Sequence, residues 1–410
     1  MNPLLSLSDL SARVQAKIER SKDKEKVFDI IVLGVGSMGS AACYYLAKQG
    51  YTVLGIEQFD IPHEQGSHAG QSRIIRKAYF EHPDYVPLLE AAYKNWIDIE
   101  NETGTQLYFK TGLLYFGEPD SALIQGLKLS AGKYNVPINS ISTQEMQSSF
   151  ASFILPEDYE RYLEPDAGFV TPERAILTYA EQAIQLGASI HSHEKTMEWK
   201  KTGSTITVKT DQATYQCHKL VITTGAWAGK LISSLANQLT VTRQAIGWMK
   251  PKKQHLFDLG NFPCWTLSVR GKPGIYYGFP VLPPATFGGV LGLKIGHHAP
   301  GSITDPNLVD RQSAQEEEHD LIQTLQRFIP EGYESTAMMK TCLYTYTKDE
   351  NFILDYVPDT DQQVVVAAGF SGHGFKFASA VGEIMADLAT KGKTAQPIGF
   401  LSTARFHKKY

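Results

Sequence analysis

Residues 28–33 (FDIIVL) form a short apolar, β-branched run, the pattern of a strand buried on both faces. After a glycine-rich turn, Ala41, Ala42, Tyr45, Leu46 and Ala47 recur at helical spacing until Gly50 stops the run. Residues 51–57 read as a second strand that ends in an acid. The same grammar returns twice. Residues 218–224 predict a strand running into a small-residue turn, and residues 364–368 predict another, entering Gly369-Phe370-Ser371-Gly372-His373-Gly374-Phe375-Lys376. A helix over 377–390 follows, capped by Gly392. Between these units, residues 264–269, 275–277 and 290–295 are strand-like, and 316–328 is a helix with Leu321, Ile322, Leu325 and Phe328 on one stripe.

The chain before the first strand reads differently. Leu4, Leu5, Leu7 and Leu10 come first and the charges follow, the reverse of a secretory signal. Asp9, Glu19, Asp23 and Glu25 argue against a transit peptide. Residues 1–27 are expected to be an extension made of a short amphipathic helix and a charged linker.

Composition narrows the class. With 410 residues, two domains are the prior. A net charge of -4 leaves no footprint for nucleic acid, and no apolar run reaches the roughly 18 residues of a membrane span. The four cysteines, Cys43, Cys217, Cys264 and Cys342, are scattered without metal spacing, so no metal and a cytoplasmic location are expected.

Gly34-Val35-Gly36-Ser37-Met38-Gly39 sits between the first strand and the first long helix, and Glu57 closes the second strand. This is the dinucleotide fingerprint in its required context. Gly34 permits the turn, Gly36 lets the backbone approach a pyrophosphate at the helix N-terminus, and Gly39 allows close helix–strand packing. Glu57 can accept hydrogen bonds from ribose hydroxyls. Dinucleotide-domain elements at both ends and in the middle of the chain favour an extended FAD over a contiguous NAD domain.

Together with GSHAGQSRIIRKAY, TTGAW, GIYYGFP, GLKIGHH, CLYTYTKDENFILD and AAGFSGHGFKF, these residues resemble the monomeric sarcosine oxidase and N-methyltryptophan oxidase group of FAD-dependent amine oxidases. The resemblance runs from Phe28 to about Phe400. One departure stands out: the loop that reads Gly-Ser-His-His in many relatives reads Gly66-Ser67-His68-Ala69 here, which bears on flavin reactivity rather than flavin binding.

The resemblance implies roles for particular residues. Cys342 is the point of covalent flavin attachment, with Lys340 two residues earlier placed to favour its thiolate. Lys294 lies over the flavin and assists reaction with O2; a fixed cation stabilises the superoxide that the first electron makes. Arg73 sits beside the flavin ring. Ser67, Gly225, Gly372, Gly374, Phe375 and Lys376 join the fingerprint as cofactor contacts. Arg76 and Lys376 suit a substrate carboxylate by their own chemistry, one as a planar fork and one as a compact charge. Tyr277, His298 and Tyr344 are candidate pocket walls. Adjacent strand residues face opposite ways, so only one of Tyr276 and Tyr277 can face the pocket; the resemblance selects Tyr277.

The expectation is an α/β protein with a Rossmann-type FAD-binding domain in three segments (28–108, 169–241 and 342–400) and a mixed-sheet substrate domain (109–168 and 242–341). Its implied function is oxidation of a small N-methyl amino acid such as sarcosine by O2, as a monomer, giving H2O2, formaldehyde and the demethylated acid. N-methyltryptophan or a cyclic imino acid such as pipecolate are alternative substrates. A dehydrogenase with a quinone or carrier acceptor and a flavin-bound sensor or scaffold are the competing functions.

Overall fold

The computed structural model describes residues 6–18 and 27–406. Two sheets organise it. In the first, five parallel strands run in the order Ser189–His191, Val53–Ile56, Val27–Leu33, Thr214–Ile222 and Val364–Ala368. Val53–Ile56, Val364–Ala368 and the ends of Val27–Leu33 and Thr214–Ile222 nearest the cavity are buried on both faces, which is why the sequence shows unbroken apolar runs there. The helices Ser37–Lys48 and Ala378–Lys391 pack on each other, and Gly382 makes the approach possible: a Cβ there would meet Ala41.

The second sheet has nine strands. Leu239–Lys250 pairs along its length with Ser335–Thr347 and, on the other side, with Leu293–His298, followed by Ile275–Gly278, Cys264–Leu267 and Leu113–Gly117. Register puts Ile246, Gly296, Tyr277 and Thr266 opposite one another across four strands, and Gln244 opposite Cys342. One face of this sheet therefore carries Cys342, Tyr344, Lys294, His298, Tyr277 and Thr266, by the two-residue alternation of strands. The opposite face holds a separate apolar cluster closed by the helix Gln315–Phe328, whose Leu321, Leu325 and Phe328 are buried.

The expected boundaries at 241/242 and 341/342 fall inside the two long paired strands, so Cys342 belongs to the nine-stranded sheet and not to the parallel one. Arg73 is in a short strand, Arg73–Ile75, paired with Gly168–Val170. The extension forms the helix Leu7–Gln15, capped by Ser6, with Leu10 and Val14 buried. The charged linker expected after it lies mostly outside the described residues. Among the described residues, no helix is long and apolar enough to cross a membrane.

Candidate active site

The C-terminal ends of the parallel strands and the functional face of the nine-stranded sheet enclose one cavity of about 390 Å³. At one end lie Gly34, Gly36, Ser37, Met38 and Glu57. The helix Ser37–Lys48 has no side-chain cap, so its first N–H groups are free to meet an anion. Gly34 has φ +86, and a Cβ there would lie 2.8 Å from the carbonyl of Thr223. Gly39 packs on the Gly34 carbonyl and stays behind the cavity wall. Glu57 accepts from Val35 N at 2.9 Å and Phe59 N at 3.1 Å; burial pushes its carboxyl up to about 7.

Ser67, Gly225, Gly372, Gly374 and Phe375 line the same cavity as Cys342. Gly372, at φ +81, also makes room for the Tyr344 ring. Three wall residues carry buried polar atoms that have no protein partner: His68 Nε2, Thr224 Oγ1 and Thr345 Oγ1. Buried polar groups are rarely left unpaired. These atoms, the uncapped helix and the glycine cradle fit an extended dinucleotide that supplies the missing partners.

The Cys342 thiol is buried, and burial pushes its pKa up, against the pull of Arg73, Lys294, Arg311 and Lys340. Lys340 contributes least of the four and is itself paired with Glu64. Arg73 donates to Ser72 O at 2.8 Å, Ser67 O at 2.9 Å and Ala69 O at 2.7 Å, tying the 67–72 loop around its guanidinium.

At the far end, Tyr277, His298, Tyr344, Arg76 and Lys376 share the cavity. Tyr276 points away: it stacks on His297 at 4.1 Å and bonds Asp320. Gly296 leaves space for Tyr277, whose hydroxyl a Cβ would meet at 2.6 Å. His298 and His373 are neutral, burial pushing them down to about 4 and about 3. His373 Nε2 lies 3.2 Å from Glu350 O, and since a carbonyl only accepts, Nδ1 accepts from the Tyr79 hydroxyl at 2.5 Å. Lys376 donates to His373 O at 2.8 Å; burial, then Arg76, pushes its pKa down to about 7.

Two placements differ from expectation. Arg76 is not an unpaired cation waiting for a substrate. Its Nη2 contacts both oxygens of Glu81 at 2.6 Å, and Nη1 donates to Ala78 O at 3.2 Å. Burial favours a neutral Glu81, but Arg76, His373 and Lys376 outweigh it and hold the carboxyl at about 2. Lys294 is buried just behind the cavity wall. Its Nζ donates to Gly70 O at 2.5 Å and Ser72 O at 2.7 Å, and lies 4.5 Å from the centre of the Phe279 ring. Phe279 and Arg73 are the cavity's own surface there. Burial, reinforced by Arg73, pushes the Lys294 ammonium well below its usual pKa.

Glu81, Tyr79 and His373 were not picked out as site residues from the sequence. The only signal was local: an acid five positions after Arg76. No group of three His, Cys, Asp or Glu suited to a metal occurs among the described residues.

A glycine-lined dinucleotide cradle opening onto a buried cationic pocket defines a flavoenzyme of the two-sheet type. The chain belongs to the FAD-dependent oxidoreductase family, matching its family model over residues 29–388. It is 37% identical over 383 residues to the monomeric sarcosine oxidase of Bacillus sp. (strain NS-129), covering 92% of this chain and 97% of that one. It is 31% identical over 381 residues to N-methyl-L-tryptophan oxidase of Yersinia pestis (strain Pestoides F), covering 92% and 99%. Among solved structures, it shares the fold of NikD, an unusual amino acid oxidase essential for nikkomycin biosynthesis: TM-score 0.80, 24% identity, 92% and 97% of the two chains.

Proposed function

We propose that the protein is an oxidase of small secondary amino acids, with an N-methyl amino acid such as sarcosine as the type substrate. The observation that carries this reading is the convergence of Arg76 and Lys376, from opposite ends of the chain, on the pocket that continues from the dinucleotide cradle. Arg76 is balanced by Glu81, and Lys376, its pKa lowered to about 7, regains its charge when an anion binds beside it. A substrate carboxylate fits that balance.

Bound FAD would supply the two-electron redox chemistry that links the substrate C–N unit to O2. The balanced reaction is N-methyl amino acid plus O2 plus water, giving amino acid, formaldehyde and H2O2. Gly34, Gly36, Ser37 and Met38 would hold the pyrophosphate and Glu57 a ribose, while Cys342, on the cavity wall, would supply the sulfur of a covalent tether. Arg76 and Lys376 hold the carboxylate, which directs the amine toward Tyr277, His298 and Tyr344. His298 is neutral around pH 7, so it can accept a hydrogen bond from the secondary ammonium or hold the free amine. Lys294 and Arg73 place positive charge where reduced oxygen species develop. Four free cysteines suit a reducing compartment.

A peroxide-coupled screen of sarcosine, bulkier N-methyl amino acids, pipecolate and simple uncharged-tail amines tests the reading. Peroxide with the secondary amino acids and little with the plain amines is expected. Efficient turnover of the plain amines, or no peroxide from any amino acid by flavin-loaded protein, overturns it.

A further inference from the structure

The N-terminal helix Leu7–Gln15 lies outside the segment that matches the family, yet it is fastened to the chain on several sides. Leu10 and Val14 are buried against the core. Gln15 donates to Ile61 O at 2.8 Å. Two lines of contact lead from this helix to one place, the 70–72 loop, whose carbonyls hold the Lys294 ammonium.

The first line starts at Leu7, which sits against Gly288: a Cβ on Gly288 would lie 2.9 Å from the Leu7 Cδ2. The carbonyl of Gly288 accepts from the Gln71 side-chain amide, and the Gln71 side-chain oxygen accepts from Trp248 Nε1 at 2.6 Å. Gln71 is buried and holds a left-handed backbone, φ 66, unusual for a side chain of its size. It stands directly between Gly70 and Ser72, the two residues whose carbonyls Lys294 bonds.

The second line runs through the helix Pro172–Gln185. Arg13 and Lys17 pair with its Glu181 at 2.7 and 3.0 Å. At its other end, Glu173 accepts from the backbone N–H of Gly70 at 2.7 Å and of Gln71 at 3.2 Å.

We propose that the N-terminal helix is a positioning element for Lys294: with Gln71 as the link, it holds the 70–72 loop in the strained conformation that fixes the ammonium behind the cavity wall. The proposal rests on the reading that Lys294 serves the reaction with O2. A loop in a left-handed conformation relaxes when its outside contacts go. The carbonyl pair would then separate, and the ammonium would lose its fixed direction. The positioning role belongs to Leu7 and Gln71, neither of which lines the cavity.

Three variants of the holoenzyme test this: Leu7→Ala, Gln71→Ala and deletion of residues 1–18. Hydrogen exchange is read first, because it does not depend on what Lys294 does. Faster exchange is expected in peptides covering 68–76 and 284–295, with none in the Leu113–Gly117 strand. Stopped-flow reoxidation by O2 is read second. It should slow by at least about threefold in Leu7→Ala and about tenfold in Gln71→Ala, with anaerobic reduction by substrate within about twofold of wild type. In a Lys294→Met background the same changes should leave the O2 rate where Lys294→Met alone puts it. Unchanged exchange at 68–76 in all three variants overturns the proposal, as does equal slowing of both half-reactions or equal slowing in the Lys294→Met background. If Lys294→Met by itself leaves the O2 rate unchanged, the reading of Lys294 fails, and the exchange data still decide whether the helix holds the loop. Should the deletion fail to fold, the two point variants carry the test.

Discussion

The Nη2 of Arg76 lies 2.6 Å from each carboxylate oxygen of Glu81, so the cation best suited to a substrate carboxylate already has an internal one. A buried pair of this kind is costly to break from one side, about 3–5 kcal/mol. An incoming carboxylate must share Arg76 with Glu81 or displace it. Arg76→Ala should raise the dissociation constant of a non-reactive thioether acetate by at least about 30-fold, at about 1.4 kcal/mol per decade. Part of that loss comes from the stranded Glu81, so Arg76→Ala combined with Glu81→Ala should bind better than Arg76→Ala alone. Glu81→Gln should tighten binding by about tenfold. The measurement is a flavin absorbance titration; equal affinity in wild type and Arg76→Ala removes Arg76 from carboxylate binding.

Lys376 gives the binding a pH dependence of known sign. Burial lowers its pKa to about 7, so in the empty site it is charged below that pH and neutral above it. A bound carboxylate favours the charged form, so binding takes up a proton when the pH is above about 7. Affinity should be flat below about pH 7 and fall above it, by up to about tenfold per unit. The same titration across pH with Lys376→Met should lose that slope. A slope that survives in Lys376→Met assigns it to another group.

The covalent tether is tested by acid. Wild-type protein precipitated with trichloroacetic acid should keep its yellow colour in the pellet, and Cys342→Ala should release it to the supernatant. The buried thiol is held protonated, so attachment should be slow when apoprotein is mixed with FAD. Quantitative release of flavin from the wild type excludes the tether.

Lys294→Met keeps side-chain length and removes charge. Reoxidation by O2 should slow at least about 100-fold, the scale of one preorganised electrostatic group, while anaerobic reduction changes much less. Because burial and Arg73 both depress the ammonium, raising the pH should also slow the wild-type O2 step and leave Lys294→Met unaffected. Equal O2 rates in the two proteins at every pH remove Lys294 from the mechanism.

What the sequence made legible follows from where physics is local. Gly34, Gly36 and Gly39 are required by backbone geometry within a single turn, so spacing alone identified their place. Four of the five parallel strands were legible from their apolar runs; the short Ser189–His191 strand was not. Glu81 was not, because pairing with Arg76 depends on how the chain bends between positions 76 and 81, and no periodicity encodes that bend. Lys294 shares a sheet face with Tyr277 and Cys342 but is not among the cavity-lining residues, which include Phe279 and Arg73; which layer a strand residue occupies is set by neighbouring strands. The expected limits at 242 and 342 fall within strands for a related reason: Leu239–Lys250 and Ser335–Thr347 each extend past them as one continuous element.

The parallel sheet joins Val27–Leu33 to Thr214–Ile222 and that strand to Val364–Ala368. Neighbours in space thus come from near the beginning, the middle and the last tenth or so of the chain. A ribosome making this protein must release nearly all of it before the sheet can close. Glycines from the first turn would wait, unlined by Gly372 and Gly374, through most of synthesis. Such long-range pairing slows folding, because loop-closure entropy is met before contacts reward it. A nascent fragment ending before residue 364 would hold the glycine turn, Glu57 and Cys342 but lack the cavity wall that Gly369, Gly372, Gly374 and Phe375 supply.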